Sequence, residues 1–387
     1  MRIGIDARPL SRQRTGIGNY IKGLVDLLPQ IAPEHSYFLY SNRSIDLPIA
    51  EAAFQHRVDH AFGWCPGSFW LLGRGARLAR PDALDIYWAT NAILPPRLPP
   101  GVLKVVTVYD MVWLRCPETT SRYNLLVQTL CAKEAITKAD IIVVISRSTG
   151  DELKDRMGVS HHKIRLIYPG IPPVYFPQDP SRAAAYISEK YSVPIRYMAT
   201  VGSVEPRKNL KVLVDALTLL KRNGQLDCPL LVAGASGWRN SELFRQIRLA
   251  GLSDNEIKFM GYLPDADLPQ FYAGAQVFLF PTLYEGFGLP PVEAMACGTP
   301  VIASDSQCMP EVLDDAAILL PATAADSFAT AIVRVLGDQL LRRDLRRKGI
   351  QRAQNFRFEK SVRELLDIFE NRVQPTTMTT EHSDATV

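Results

Sequence analysis

Two glutamates, Glu285 and Glu293, flank a glycine-rich turn, Glu285-Gly-Phe-Gly-Leu-Pro-Pro-Val-Glu293. A carboxylate accepts two hydrogen bonds from neighbouring hydroxyls, so a sugar or ribose diol is the natural partner for each. A loop lies between them, so they do not share a helical face, and each can reach a different part of an extended ligand. The backbone N–H groups of Phe287, Gly288 and Leu289 fall at a helix N-terminus and suit a phosphate. A second cluster, Glu205-Pro-Arg207-Lys208-Asn209, sets two cations just before another helix. Cations there are unfavourable without an anion, and a diphosphate would supply one. The plainer alternatives are a glutamate that merely complements a helix dipole, a solvated turn residue and a solvated basic turn.

These residues need strands to position them. The apolar run 277–280 reads as a buried strand ended by Pro281. Pro290 and Pro291 sit where a helix should begin, residues 292–297 form it, Gly298 stops it, and 301–303 is the next strand. The turn then lies at the C-terminal edge of a strand, where open α/β sheets bind ligands. Further strands are expected at 2–5, 37–40, 85–88, 102–108, 141–145 and 164–167, then at 197–202, 230–233 and 257–259. Helices are expected at 121–139, 182–191, 325–355 and 359–371, and from Asn209, whose helix has Leu210, Val212, Leu213, Ala216, Leu217 and Leu220 on its apolar side. After the first strand a loop ends in Thr15-Gly16-Ile17-Gly18, and Asn19 reads as the cap of the next helix. Strands alternating with helices, with full apolar runs, predict doubly wound, mostly parallel sheets. The proline-rich stretch 169–177 separates two halves.

Composition sets the bounds. At 387 residues and 47% hydrophobic the chain suits a globular protein of two domains. A net charge of +4 is too small to argue for nucleic acid. The cysteines Cys65, Cys116, Cys131, Cys228, Cys297 and Cys308 show no C-x-x-C pairing and read as plain thiols in a reducing compartment. The N-terminus does not read as a signal peptide, and no apolar run is long enough to span a membrane, so a cytoplasmic location is expected. His56 and His60 have the spacing of metal ligands on a helix, but no third ligand accompanies them. An apolar stretch edged by Arg74, Arg77 and Arg80, and a basic face of Arg342, Arg343, Arg346, Arg347 and Lys348, would suit peripheral contact with anionic lipid at the inner membrane face. A plain core helix with solvated arginines is the alternative for the first. The polar tail 374–387 is expected to be disordered.

The run Glu285 to Ala303 reads E-G-F-G-L-P-x-x-E-A-M-A-x-G-x-P-V-I-A. It resembles the E-x7-E signature of retaining, nucleotide-sugar-dependent glycosyltransferases of family 4, which have the GT-B fold: two Rossmann-like doubly wound domains facing a cleft. The likeness is strongest over 196–321. It implies an N-terminal acceptor domain at 1–173, a C-terminal nucleotide-sugar domain at 178–356, and a final helix at about 357–373 that packs back on the first domain. It places Glu285 near the transferred hexose and Glu293 on the ribose, and gives Arg207 and Lys208 the donor diphosphate. By the same likeness, Gly16 and Gly18 face the diphosphate, and the Gly261-to-Asp265 segment, with Leu263, lies near the base. Gly202, Ser146, Phe287, Gly288 and Leu289 complete the donor set. Many relatives carry His-Asp where this chain has Tyr109-Asp110. Asp110 joins the catalytic set, and Tyr109 stands where it could meet the hexose or fill the space beside C6.

The resemblance further implies a hexosyltransferase that retains anomeric configuration and needs neither metal nor cofactor. No D-x-D pair follows a strand, and Arg207 with Lys208 can take the metal's electrostatic role. The expected donor is a GDP-linked mannose or 6-deoxyhexose. The expected acceptor is a polyprenyl- or lipid-linked oligosaccharide of bacterial polysaccharide or O-antigen synthesis. A nucleotide-sugar epimerase of like architecture and a non-catalytic partner subunit are the rivals, and the E-x7-E match with intact Glu285, Glu293, Arg207 and Lys208 argues against both. An NAD-dependent oxidoreductase would need a third glycine after Gly16-Ile-Gly18, and none is there.

Overall fold

The structure, a computed structural model, describes residues 1–10, 16–45, 53–119, 122–235, 237 and 240–371. Among the described residues thirteen strands form two all-parallel sheets. The first sheet holds β1 (Arg2–Asp6), β2 (Ser36–Ser41), β3 (Phe54–Val58), β4 (Ile86–Ala89), β5 (Leu103–Val108), β6 (Ile141–Val144) and β7 (Ile164–Leu166), in the order β3-β2-β1-β4-β5-β6-β7. The second holds β8 (Met198–Val201), β9 (Leu230–Ala233), β10 (Ile257–Gly261), β11 (Phe278–Phe280), β12 (Val301–Ser304) and β13 (Ile318–Leu320), in the order β10-β9-β8-β11-β12-β13. Both faces of each sheet are covered by helices, so β4, β6, β9 and β12 are buried at every residue, and all but the last residue of β12, Ser304, are apolar.

The strand order reverses once in each sheet. In the first, Ile3 lies opposite both Tyr37 of β2 and Ile86 of β4. In the second, β8 lies between β9 and β11, and Ala199 pairs with both Leu231 and Phe278. At such a reversal the loops leaving adjacent strands turn to opposite faces and open a crevice between them. The Arg207 loop leaves β8 and the Glu285 loop leaves β11, so the two clusters meet at the reversal of the second sheet.

Eight helices matter to the site: α1 (Gly16–Ile31), α2 (Arg147–Met157), α3 (Leu210–Arg222), α4 (Leu289–Ala296), α5 (Met309–Leu313), α6 (Ala325–Gly337), α7 (Gln339–Ala353) and α8 (Phe358–Glu370). Several differ from the sequence reading. Asn19 is not a cap, since α1 already begins at Gly16. Burial of Gly18, Tyr20 and Ile21 against the first sheet outweighs the roughly 1 kcal/mol that each glycine costs a helix. The expected helix 325–355 is broken at Asp338, whose carboxylate accepts the Leu341 N–H and caps α7. His56 lies in β3 and His60 in a short 3-10 turn, so no helical face carries both.

The basic face of α7 is largely consumed by the protein itself. Arg342 donates to the carbonyls of Val335 and Leu336, and Arg346 to those of Gly298 and Gln178. Arg347 pairs with Asp344, and Lys348 with Asp315 and Asp344. In the earlier arginine-edged stretch Trp70 and Leu71 are buried and Arg74 binds Asp59, while Trp64 and Phe69 are exposed. Among the described residues no helix is long and apolar enough to cross a membrane. The tail 374–387 lies outside the described residues.

Helix α8 returns to the first sheet. It buries Val362, Leu365, Leu366 and Phe369, and the Phe369 ring meets Trp88 edge-on at 6.1 Å. Its first residue, Phe358, lies over Gly23 of α1, where an added Cβ would fall 2.2 Å from the ring. Gly23→Ala therefore sets a helix-propensity gain of about 1 kcal/mol against overpacking of about 1–3 kcal/mol. The ring is stacked on Tyr20 and buried, so overpacking should win. Gly23→Ala should lower the urea midpoint, and adding Phe358→Leu should recover part of the loss. A raised midpoint would show that the two helices separate freely here.

Candidate active site

The loops after β8 and β11 are stitched together before any side-chain charge is considered. Leu283 N–H donates to the Arg207 carbonyl at 2.9 Å. Asn209, held at φ +54°, donates its amide to the carbonyls of Pro281 (3.0 Å) and Ala322 (2.7 Å). Into this frame Arg207 and Lys208 bring their cations, and both reach one oxygen. Lys208 Nζ lies 2.6 Å and an Arg207 nitrogen 2.9 Å from Glu285 Oε1, and the Thr282 hydroxyl donates to the same oxygen at 3.0 Å. Gly202 leaves room for this, since the Lys208 stem runs 3.3 Å from where a Cβ would stand.

The cations are not left waiting for an anion, which corrects the sequence argument. Glu205 pairs with Arg207 at 2.9 Å, so the loop carries its own counter-charge. Burial pushes the Glu285 carboxyl up, but Lys208 and Arg207 outweigh it and hold the group below its ordinary range. Burial lowers Arg207, yet Glu285, Glu205 and Asp110 together raise it. Asp110 is raised by burial, against the Val112 N–H it accepts and the nearby Arg207. Glu285 is thus a carboxylate at neutral pH, held by three donors.

Glu293 sits apart from this cluster. It faces a cavity of about 860 Å³ whose walls include Asp265, Leu289 and Pro290 on one side and Gly16, Asn19 and Tyr20 of α1 on the other. Tyr272 donates to Glu293 Oε2 at 2.8 Å. Burial raises Glu293 to about 7, against the Tyr272 bond and with help from Asp265. A second crevice of about 900 Å³, walled by Arg147, Glu311 and Arg352, contains neither glutamate.

The turn between the glutamates follows the expected chemistry. Gly288 caps α4 at φ +84°, and a Cβ there would meet Met309 Cε at 2.5 Å. Pro290 and Pro291 have no N–H, so the donors near the helix start are those of Phe287, Gly288, Leu289 and Val292. Gly286 packs backbone on backbone, its absent Cβ falling 1.9 Å from the Tyr109 carbonyl oxygen.

Other candidates are placed differently. Tyr109 does not meet the cleft with its phenol, which is buried edge-on to Tyr20 and donates to the Thr90 carbonyl at 2.6 Å. Its hydroxyl is satisfied inside the first domain and is not offered to the cleft. Ser146 is fully buried and caps α2, accepting the Thr149 N–H at 3.1 Å. Leu263 is a core side chain. The Phe287 ring is packed edge-on against Phe356 at 5.3 Å, leaving its N–H as the group to offer. Gly18 is buried within α1, while Gly16 has open space and lines the cavity. Sequence reasoning missed Thr282, Tyr284 and Glu205 as partners of the cluster. Glu311 caps a helix of the other domain: it accepts the Arg147 and Ser148 N–H groups at the start of α2 and the Tyr168 hydroxyl.

Comparison with known proteins gives the family. Residues 15–174 match the family model described as Glycosyltransferase Family 4, and residues 193–352 that described as Glycosyl transferases group 1. The chain is 30% identical over 285 residues to the O-antigen chain mannosyltransferase B of Escherichia coli, covering 73% of this chain and 74% of that one. It is 29% identical over 242 residues to the serotype-specific mannosyltransferase WbdA of Escherichia coli, covering 61% of this chain and 29% of that protein. The Anabaena protein HepE, solved with UDP-glucose, has the same fold, with a TM-score of 0.70 at 17% identity over 95% of this chain and 98% of that one.

The Glu293 environment generates a pH prediction. Its folded value near 7 lies above the ordinary 4.5, so the folded protein holds a proton there that the unfolded chain has lost. Stability from this group is full below the unfolded value and is lost as pH rises through the folded one. Between pH 4.5 and about 7, wild type should lose stability relative to Glu293→Gln. Urea midpoints of the two proteins across that window check this, and a flat difference would contradict it.

Proposed function

The chain belongs to the GT-B glycosyltransferases of family 4, and from that premise we propose that it transfers a hexose, mannose or a 6-deoxyhexose, from a nucleoside-diphosphate sugar to a lipid-linked saccharide. The observation that carries this reading is the buried Arg207–Glu285–Lys208 cluster at the reversal of the second sheet, with Glu293 on a separate cavity wall. Two cations and a set of loop N–H groups are what a diphosphate needs, and two spaced carboxylates are what a hexose and a ribose need. Similarity to mannosyltransferases supports the sugar, and the O-antigen relative supports a saccharide acceptor; a GDP-linked donor is part of the same proposal. The reading divides the chain into an acceptor domain, 1–173, and a donor domain, 178–356.

In this reading the cluster gathers the two cations where the diphosphate binds. The donor diphosphate draws Lys208 and Arg207 from Glu285, which frees that carboxylate for the hexose hydroxyls. As the nucleoside diphosphate departs, the two cations stabilise its growing negative charge. Asp110, on the facing domain and close to Arg207, complements positive charge at the anomeric carbon. Transfer proceeds with retention and without a metal, Arg207 and Lys208 supplying the electrostatic work.

The test is a nucleotide-sugar screen by thermal stabilisation, followed by transfer assays with lipid-diphosphate saccharides. Glu293→Ala should weaken donor binding by about 1.5–3 kcal/mol, the worth of one charge-assisted hydrogen bond, while Glu285→Ala should chiefly lower kcat. Unchanged donor affinity in Glu293→Ala would refute the ribose role. Activity should also survive EDTA. Activity that vanishes with chelator and returns with magnesium or manganese would overturn the metal-free reading.

A further inference from the structure

We infer that Tyr284 is a positioning residue, whose phenol docks the loop carrying Glu285 onto the first domain and so sets the spacing between Arg207 and Asp110. The inference rests on the transferase reading above for its link to turnover, but not for the contact itself. Tyr284 precedes Glu285 directly and is buried. Its backbone belongs to the donor side: its carbonyl accepts Arg207 at 2.9 Å. Its side chain belongs to the other side. The phenol oxygen accepts the Met111 N–H at 2.9 Å and donates to Glu152 Oε2 at 2.6 Å. Glu152 is itself fixed by Arg115 at 3.0 Å.

One residue therefore holds the guanidinium of Arg207 with its main chain and the residue after Asp110 with its side chain. Two residues further on, Gly286 lies flat on the Tyr109 carbonyl, a contact no side chain would allow. The segment 284–286 is thus seated on the end of β5 at both ends. Asp110 and Arg207 are near enough that each shifts the other's protonation. Sliding the loop would change that distance directly.

Tyr284 is not needed to hold the two domains together. Glu311 bridges them independently through the start of α2, and α8 packs across onto α1. Removing one hydroxyl should leave the domains joined and the loop loosely registered. It also leaves the Met111 N–H buried without its partner.

The experiment uses the full chain with a hydrogen-exchange arm and a kinetic arm. In Tyr284→Phe, exchange at the Met111 amide should rise, and kcat should fall roughly 10- to 100-fold, as expected for losing a charge-assisted bond. KM for the nucleotide-sugar should change less than kcat, because Glu293 and its cavity are untouched and the Tyr284 carbonyl that holds Arg207 is kept. Glu152→Ala should reproduce both effects, Glu152→Gln should restore most of the activity by keeping an acceptor, and the double variant with Tyr284→Phe should be no worse than either alone. A folded Tyr284→Phe protein with kcat within about twofold of wild type, or with unchanged exchange at Met111, overturns the inference. Should wild type transfer no sugar, the proposed function fails, and the exchange arm alone decides the contact.

Discussion

One carboxylate shared by two cations fixes the geometry on which the remainder of the site depends. Glu285, Arg207 and Lys208 are each largely withdrawn from water, with side chains 12%, 17% and 15% exposed. Taking charges out of water costs several kcal/mol per ion unless they are paired and hydrogen-bonded. Here every charge is paired, Arg207 doubly through Glu205, so the loops after β8 and β11 are held in one arrangement. Breaking the cluster by deleting one partner would strand the others. A polyanion that arrives at this point meets cations already gathered, and it need only exchange places with a carboxylate.

The two sheets bring that cluster to a crevice, and the interdomain contacts give the crevice a facing wall. Reversal of strand order puts β8 beside β11 and β1 beside β4. Glu311 then joins the start of α2 to α5, where a carboxylate is favoured by unpaired N–H groups and the helix dipole. The same short helix supports the Glu285 loop from below, since Met309 packs under Gly288 and the Cys308 thiol donates to the Glu285 carbonyl. Closure of the domains and registration of the loop therefore share one piece of structure.

Much of this was legible in the residues. Apolar runs marked eleven of the thirteen described strands to within one or two positions, because a strand buried on both faces tolerates little else. The other two, β3 (Phe54–Val58) and β13 (Ile318–Leu320), are only partly buried and were missed. Gly288 and the two prolines marked the start of α4, since each acts through local backbone geometry. What failed were statements about side-chain direction and long-range partners. Tyr109 and Ser146 stand at strand ends facing the crevice, as expected, but their side chains turn inward to Thr90 and Thr149. A strand end fixes where a residue sits, while the next residue's burial decides which way it points. The counter-charge from Glu205 lay two residues from Arg207 and could have been weighed. The partners of the Tyr284 phenol and the Glu311 carboxylate lie more than a hundred residues away in the chain, and no local pattern carries them.

The central claim, that the Arg207–Lys208 pair exchanges Glu285 for the donor diphosphate, is tested most directly by a crystal structure with a nucleoside diphosphate bound. The account predicts diphosphate oxygens within hydrogen-bond distance of Lys208, Arg207 and the N–H groups of residues 287–289. It also predicts that Glu285 loses its bond to Lys208 and turns toward the sugar side, and that the ribose lies on Glu293. A diphosphate seated elsewhere, with the Lys208–Glu285 contact still at 2.6 Å, would contradict it.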